Sequence, residues 1–95
     1  MGLRKGAPLF PLGRVCTTPG AISALEETGT DALALLRRHA AGDWGEVTPE
    51  DAKENELSVC EGFRVLSSYV VDKERIWIIT EADRSSTCLL LPSEY

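Results

Sequence analysis

The stretch "RIWIIT", Arg75–Thr80, decides the fold, because it is the strongest strand signal in this 95-residue chain. Its apolar residues fall on both faces of an extended segment, which predicts a central strand with some cover on each side. The preceding stretch, "FRVLSSYVV" at 63–71, is also rich in strand-forming residues, and a polar turn separates the two. A polar loop at 81–86 then leads to a last strand at 87–91, which ends before a proline. Short connections between three strands predict an antiparallel meander.

Helix signals precede these strands. Three helices are predicted at 18–29, 30–42 and 48–62. Thr-Pro pairs begin the first and third, a Thr-Asp pair begins the second, and a glycine ends each one. A short N-terminal strand at 12–17 would lie at one edge of the sheet. This order predicts an α+β fold with two or three N-terminal helices packed on one face of a three- to four-stranded antiparallel sheet.

The length of the chain predicts one domain. Residues 1–11 contain glycines and prolines, and their apolar residues follow no helical or strand period. We therefore expect a flexible N-terminal arm there and a single α+β domain at 12–95. No apolar run approaches the roughly 20 residues that a membrane span needs. The N-terminus also lacks the pattern of a signal peptide, so the expected location is the cytoplasm, away from membranes.

Charge and cysteine content disfavour several classes of function. A net charge of −5 disfavours nonspecific nucleic-acid binding, which depends on clustered lysine and arginine. An acidic DNA-mimic inhibitor is a second alternative, although the acids are spread along the chain and form no run. Three widely spaced cysteines and one histidine predict neither a disulfide framework nor a zinc site. We expect no metal and no cofactor.

The stretch "HAAGDWGEV", residues 39–47, combines the lone histidine with a tryptophan between two glycines. His39 is expected near the C-terminus of the second helix, where it either caps backbone carbonyls or acts as a general acid or base. Trp44 is predicted to be buried between the helices and the sheet as the anchor of a turn. Asn55 lies on the apolar stripe of the third helix, and we expect it to bind this turn or, alternatively, a ligand.

The loop "TEADRSST", Thr80–Thr87, is the densest polar stretch. It is either a solvated hairpin loop or part of a site in which Glu81 is a base, Arg84 holds an anion and Thr87 donates a hydrogen bond. If the end of the second helix reaches this loop, one polar hollow would form. The candidate catalytic residues are His39, Glu81, Arg84 and Thr87, and the candidate binding residues are Asp83, Arg84, Ser85 and Asn55.

Three stretches, "RRHAAGDWGEV" (37–47), "NELSVCEGFRVLSSY" (55–69) and "IWIITEADRSSTCLLLPSEY" (76–95), carry a resemblance. Together they resemble a group of small uncharacterised bacterial proteins that are encoded on plasmids and other mobile elements. The similarity runs from about Val15 to Tyr95 and is most specific in the last strands. It implies a compact bacterial domain in a mobile-gene setting, and it implies no reaction.

Two classes of function follow as hypotheses. The first is an accessory binding module with a protein or small-molecule partner. The second is a metal-independent ribonuclease, because helices followed by a small antiparallel sheet look like the layout of barnase-type and RelE-type toxins. That likeness concerns the fold alone, which does not establish function.

Overall fold

The computed structural model describes residues 8–95, which form four β-strands, three α-helices and a short 3₁₀ helix. In chain order the elements are β1 (Arg14–Thr17), α1 (Pro19–Thr28), α2 (Ala32–Ala40), α3 (Pro49–Glu61), β2 (Val65–Val71), β3 (Glu74–Thr80), β4 (Ser86–Leu90) and the C-terminal 3₁₀ helix (Pro92–Glu94). Helices followed by strands of one sheet confirm the α+β class.

The sheet is mixed, and the prediction of an antiparallel sheet is therefore wrong in one respect. The strand order is β1-β4-β3-β2, with antiparallel pairs at β2–β3 and β3–β4 as the meander predicted. β1 instead pairs with β4 in parallel, so that Cys16 lies opposite Cys88. Short turns oblige neighbouring strands to run antiparallel, whereas the long helical connection between β1 and β2 imposes no such direction.

The helix ends follow the capping signals of the sequence. Thr18 and Thr48 are the N-caps of α1 and α3, and each hydroxyl accepts a hydrogen bond from a backbone N–H three residues later. The Asp31 carboxylate caps α2. A left-handed glycine follows α1 and α3, whereas α2 ends at Ala40, two residues before the predicted glycine.

The main apolar core joins α1 and α2 to the sheet. Its fully buried strand residues alternate along the chain and share one face, because Ile76 and Ile78 of β3 lie opposite Tyr69 and Ser67 of β2. The members of this cluster are Ala21, Ala24, Leu25, Leu35, Leu36, Tyr69, Ile76, Ile78 and Leu89. On the opposite face Trp77 is only half-buried, so the cover predicted on both sides of β3 is incomplete.

A second cluster packs Trp44 with Phe10 and Val65, with Ala52 and Val59 of α3 beside them. Trp44 is 5% exposed, which confirms that it is a buried anchor between a helix and the sheet. Phe10 is equally buried at 6%, so packing of the chain begins before residue 12. The remainder of the expected flexible arm, residues 1–7, lies outside the described residues.

The segment around Gly45 covers the outer edge of β2. The backbone of Ser68 accepts the N–H of Glu46 at 2.6 Å and donates its own N–H to the carbonyl of Trp44 at 3.0 Å. Gly45 forms a parallel bridge with Ser68 and has a φ of 76°. A Cβ at Gly45 would overlap the Ser68 carbonyl oxygen, so this close approach of two backbones requires glycine.

Candidate functional site

His39 lies in the last turn of α2 and is completely buried. Its Nδ1 is 2.6 Å from Oγ of Ser67 in β2, and its Nε2 is 2.9 Å from Oγ1 of Thr80 in β3. The rings of Phe10 and Trp44 meet it edge-on, with centroid distances of 5.3 Å and 6.1 Å. His39 therefore joins α2 to two strands through its ring, and the expectation that it caps carbonyls of its own helix is wrong.

The hydrogen bonds beyond His39 determine the protonation of its Nε2. The Thr87 hydroxyl donates to the carbonyl oxygen of Leu12 at 2.7 Å, and it lies 2.7 Å from the Thr80 hydroxyl. A hydroxyl carries one proton, so Thr80 must donate to Thr87, and Nε2–H of His39 must donate to Thr80. The network thus places a proton on Nε2. In a neutral ring Nδ1 is left to accept the hydrogen bond from Ser67.

Burial, together with the positive charge of Arg84, lowers the pKa of His39 to about 4. The ring is therefore neutral near pH 7, in agreement with the proton pattern. A general acid or base must reach the proton that it transfers and needs a pKa near the working pH. Both ring nitrogens of His39 are occupied inside the protein, so the geometry gives this residue a structural role.

Arg84 binds backbone oxygens rather than an open site. Nη1 donates to the carbonyls of Phe63 at 2.7 Å and Glu81 at 3.2 Å, and Nη2 donates to the carbonyl of Ser58 at 2.8 Å. The guanidinium also lies over the Phe10 ring, 5.3 Å from its centroid. These bonds tie the end of α3 to the β3–β4 loop, and they use three of the five N–H donors of the guanidinium.

The other loop candidates make local contacts. The Glu81 carboxylate pairs with Arg64 at 3.3 Å, at an exposed position. The Asp83 carboxylate accepts the backbone N–H of Ser85 at 3.0 Å, as in an Asx turn. These contacts agree with a solvated hairpin loop, which the sequence left as the alternative to a binding site.

Asn55 is 5% exposed, and its partner differs from the expected one. Its Nδ2 donates to the carbonyl of Leu66 at 2.7 Å, and its Oδ1 accepts the N–H of the same residue at 3.2 Å. The prediction that Asn55 binds the turn at 42–45 is therefore wrong. The outward-facing backbone groups of an edge strand need partners, and α3 supplies them here from a side chain.

The structure brings two of the four candidate catalytic residues into one network, His39 and Thr87, with the Arg84 charge near enough to act on the imidazole. The two hydroxyls that complete this network, on Ser67 and Thr80, were not predicted from the sequence. A signal was present, because Ser67 alternates with Val65 and Tyr69 on the buried face of β2. A polar residue at such a position must find an internal partner.

An open groove lies elsewhere, between the loop that precedes α3 and the exposed face of β2 and β3. We call it the sheet groove; its volume is about 280 Å³. It is lined by Glu46, Val47, Thr48, Asp51, Leu66, Ser68, Arg75 and Trp77. Trp77 and Leu66 are half-buried, whereas Glu46 and Asp51 are exposed, so apolar and acidic residues line one concave site.

Negative charges outnumber positive charges in and beside the sheet groove. Arg75 already donates through Nη1 to Oγ of Ser68 at 2.6 Å and to the carbonyl of Glu46 at 3.4 Å, so it is held against the wall of the groove. The adjoining helix α3 carries one lysine against five acids, which are Glu50, Asp51, Glu54, Glu56 and Glu61. The field around the groove therefore favours positive charge.

A second hollow of about 240 Å³ is almost wholly apolar. It is lined by Pro8, Leu12, Val15, Leu33, Leu36, Arg37 and Ala40.

Within residues 8–95, no helix has the length and apolar character needed to cross a membrane. The same residues contain no group of three or more His, Cys, Asp or Glu side chains that could hold a metal ion. The resemblance to plasmid-encoded proteins stays a prediction. No family model matches the chain, and no curated protein or solved structure matches it.

Proposed function

We propose that the protein is a binding module whose sheet groove receives a lysine or arginine side chain of a partner protein. One observation carries this proposal: half-buried Trp77 lines a solvent-open groove together with the exposed acidic residues Glu46 and Asp51. An aromatic face attracts a cation, and tryptophan does so most strongly. Carboxylates beside the ring add direct ion pairing.

The size and lining of the groove support a single long side chain as the occupant. Pockets for drug-sized ligands run from about 300 to 1,000 Å³, so a groove of about 280 Å³ suits a smaller group. Lysine and arginine have apolar stems that can pack on Leu66 while their charged ends reach Asp51. The acids of α3 would also speed the approach of a basic partner.

The ribonuclease alternative receives no support from the site. Its proposed acid or base, His39, is completely buried, and its proposed anion-binding residue, Arg84, is bound to three carbonyls. We therefore keep the binding module as the proposed function. Its location in the cytoplasm and its origin in mobile DNA are part of the proposal and rest on the sequence features described above.

The test is an NMR titration with three blocked pentapeptides that differ only in a central arginine, glutamate or norleucine. The arginine peptide should shift the indole N–H of Trp77 and leave that of Trp44, which is bonded to Glu56, unchanged. Asp51→Asn should weaken this binding by about 1.5- to 5-fold, which corresponds to the roughly 0.2–1 kcal/mol of an exposed charge pair. Glu27→Gln, an exposed acid on α1, is the matched control. Equal shifts with all three peptides, or full binding by Asp51→Asn, would contradict the proposal.

A further inference from the structure

Two of the three cysteines are direct neighbours in the sheet. Cys16 of β1 and Cys88 of β4 are register partners in the parallel ladder, so their side chains leave the same face of the sheet. Neighbouring strands lie about 4.8 Å apart, and the Cα atoms of disulfides are usually about 4.4–6.8 Å apart. Both thiols are free; Cys16 is exposed and Cys88 is half-buried. The fold has thus brought together two thiols that are 72 positions apart in sequence (88 − 16).

We propose that Cys16 and Cys88 are an oxidant-responsive modification site, which closes a reversible disulfide on reaction with a low-molecular-weight disulfide such as oxidised glutathione. The site is separate from the sheet groove and does not depend on the proposed binding function. It requires only the strand pairing and the access of solvent to Cys16.

The reaction proceeds by two thiol–disulfide exchanges. The thiolate of Cys16 attacks one sulfur of glutathione disulfide, forming a mixed disulfide and releasing one glutathione thiolate. The thiolate of Cys88 then attacks Sγ of Cys16, the mixed disulfide breaks, and the second glutathione thiolate leaves. The two protein thiols lose two electrons to glutathione disulfide, and their two protons are taken up by the departing glutathione thiolates.

Solvent exposure and thiol pKa decide which of the two cysteines reacts first. Burial, the neighbouring Cys16 thiol and the Glu94 carboxylate raise the pKa of the Cys88 thiol. Cys88 is therefore the weaker first nucleophile, whereas Cys16 is open to the oxidant. Cys88 takes the second step, in which the target sulfur is already held beside it.

The bond would be readily reduced. Disulfide Cβ atoms lie about 3.8 Å apart, roughly 1 Å less than the spacing of neighbouring strands, so closure draws β1 towards β4. β1 is a four-residue strand at the edge of the sheet and can move by this amount more easily than a central strand. Strained disulfides have the higher reduction potentials that are typical of labile bonds.

The test uses the full chain with Cys60→Ser, because Cys60 is a third, exposed thiol on α3. After incubation with oxidised glutathione, the intact mass should fall by two hydrogens, no free thiol should remain, and excess reduced glutathione should reverse the change. Cys88→Ser in the same background should instead stop as a glutathione adduct on Cys16. Two free thiols, a lasting adduct on the parent, or a bridge between two chains would each overturn the proposal.

Discussion

The buried His39 makes the stability of the fold sensitive to mild acid. Its pKa is about 4 in the folded protein, against 6.5 for an unperturbed histidine. The unfolded chain therefore binds the additional proton, so stability is complete above pH 6.5 and falls as the pH drops towards 4. Each pKa unit corresponds to about 1.4 kcal/mol, so full protonation lowers the free energy of unfolding by about 3 kcal/mol. About 2 kcal/mol of this decrease falls between pH 7 and pH 5.

Urea unfolding of the parent and of His39→Gln at several pH values measures this loss. Carboxylates titrate in both proteins, so the difference between the two curves isolates the histidine. The gap in unfolding free energy should narrow by about 2 kcal/mol between pH 7 and 5. Nitrogen NMR of His39 should show the neutral Nε2–H form at pH 5. Parallel curves, or a charged ring at pH 5, would refute the proton network and its burial argument.

Three further changes test the packing. Trp44→Ala removes a buried anchor and should lower the unfolding free energy by about 3–5 kcal/mol in chemical denaturation; an unchanged melt would contradict its burial. Asn55→Ala leaves the backbone N–H and carbonyl of Leu66 without their side-chain partner. It should lower the free energy of unfolding by about 1–3 kcal/mol in the same assay. Gly45→Ala should cost more than Gly29→Ala, because both glycines have positive φ but only the Gly45 Cβ meets the Ser68 carbonyl. Equal midpoint shifts for the two alanines would show that this close approach does not matter.

Local signals explain why the strands and helices were largely predictable from the sequence. The caps at Thr18 and Thr48 and the hairpin connections of β2, β3 and β4 act within a few residues, so the pattern is sufficient to place them. The direction of β1 was not predictable in this way. It depends on where the chain re-enters the sheet after three helices, and no short stretch of sequence encodes that.

The candidate site was less predictable because its side chains act over long sequence distances. The sequence shows that a histidine or an arginine is present, but it does not show whether the side chain faces a substrate or bonds to buried polar groups of the protein. His39 meets Ser67 and Thr80, which are 28 and 41 residues away. Arg84 meets the end of α3 at Ser58, 26 residues away. Only the packing of α2 and α3 on the sheet reveals that these polar groups face one another.

The side-chain amide of Asn55 bonds to both backbone groups of Leu66, and it therefore does what a peptide group of a neighbouring strand would do. It donates to and accepts from the same residue, as a neighbouring backbone would in a sheet ladder. Together with residues 44–46, it ends the sheet at β2 and denies this edge to a second chain. Loss of the amide nitrogen by deamidation would replace the donor with an oxygen that faces the Leu66 carbonyl. That single chemical change would leave the Leu66 carbonyl without its donor and uncover this part of the edge, where strands of other molecules could add.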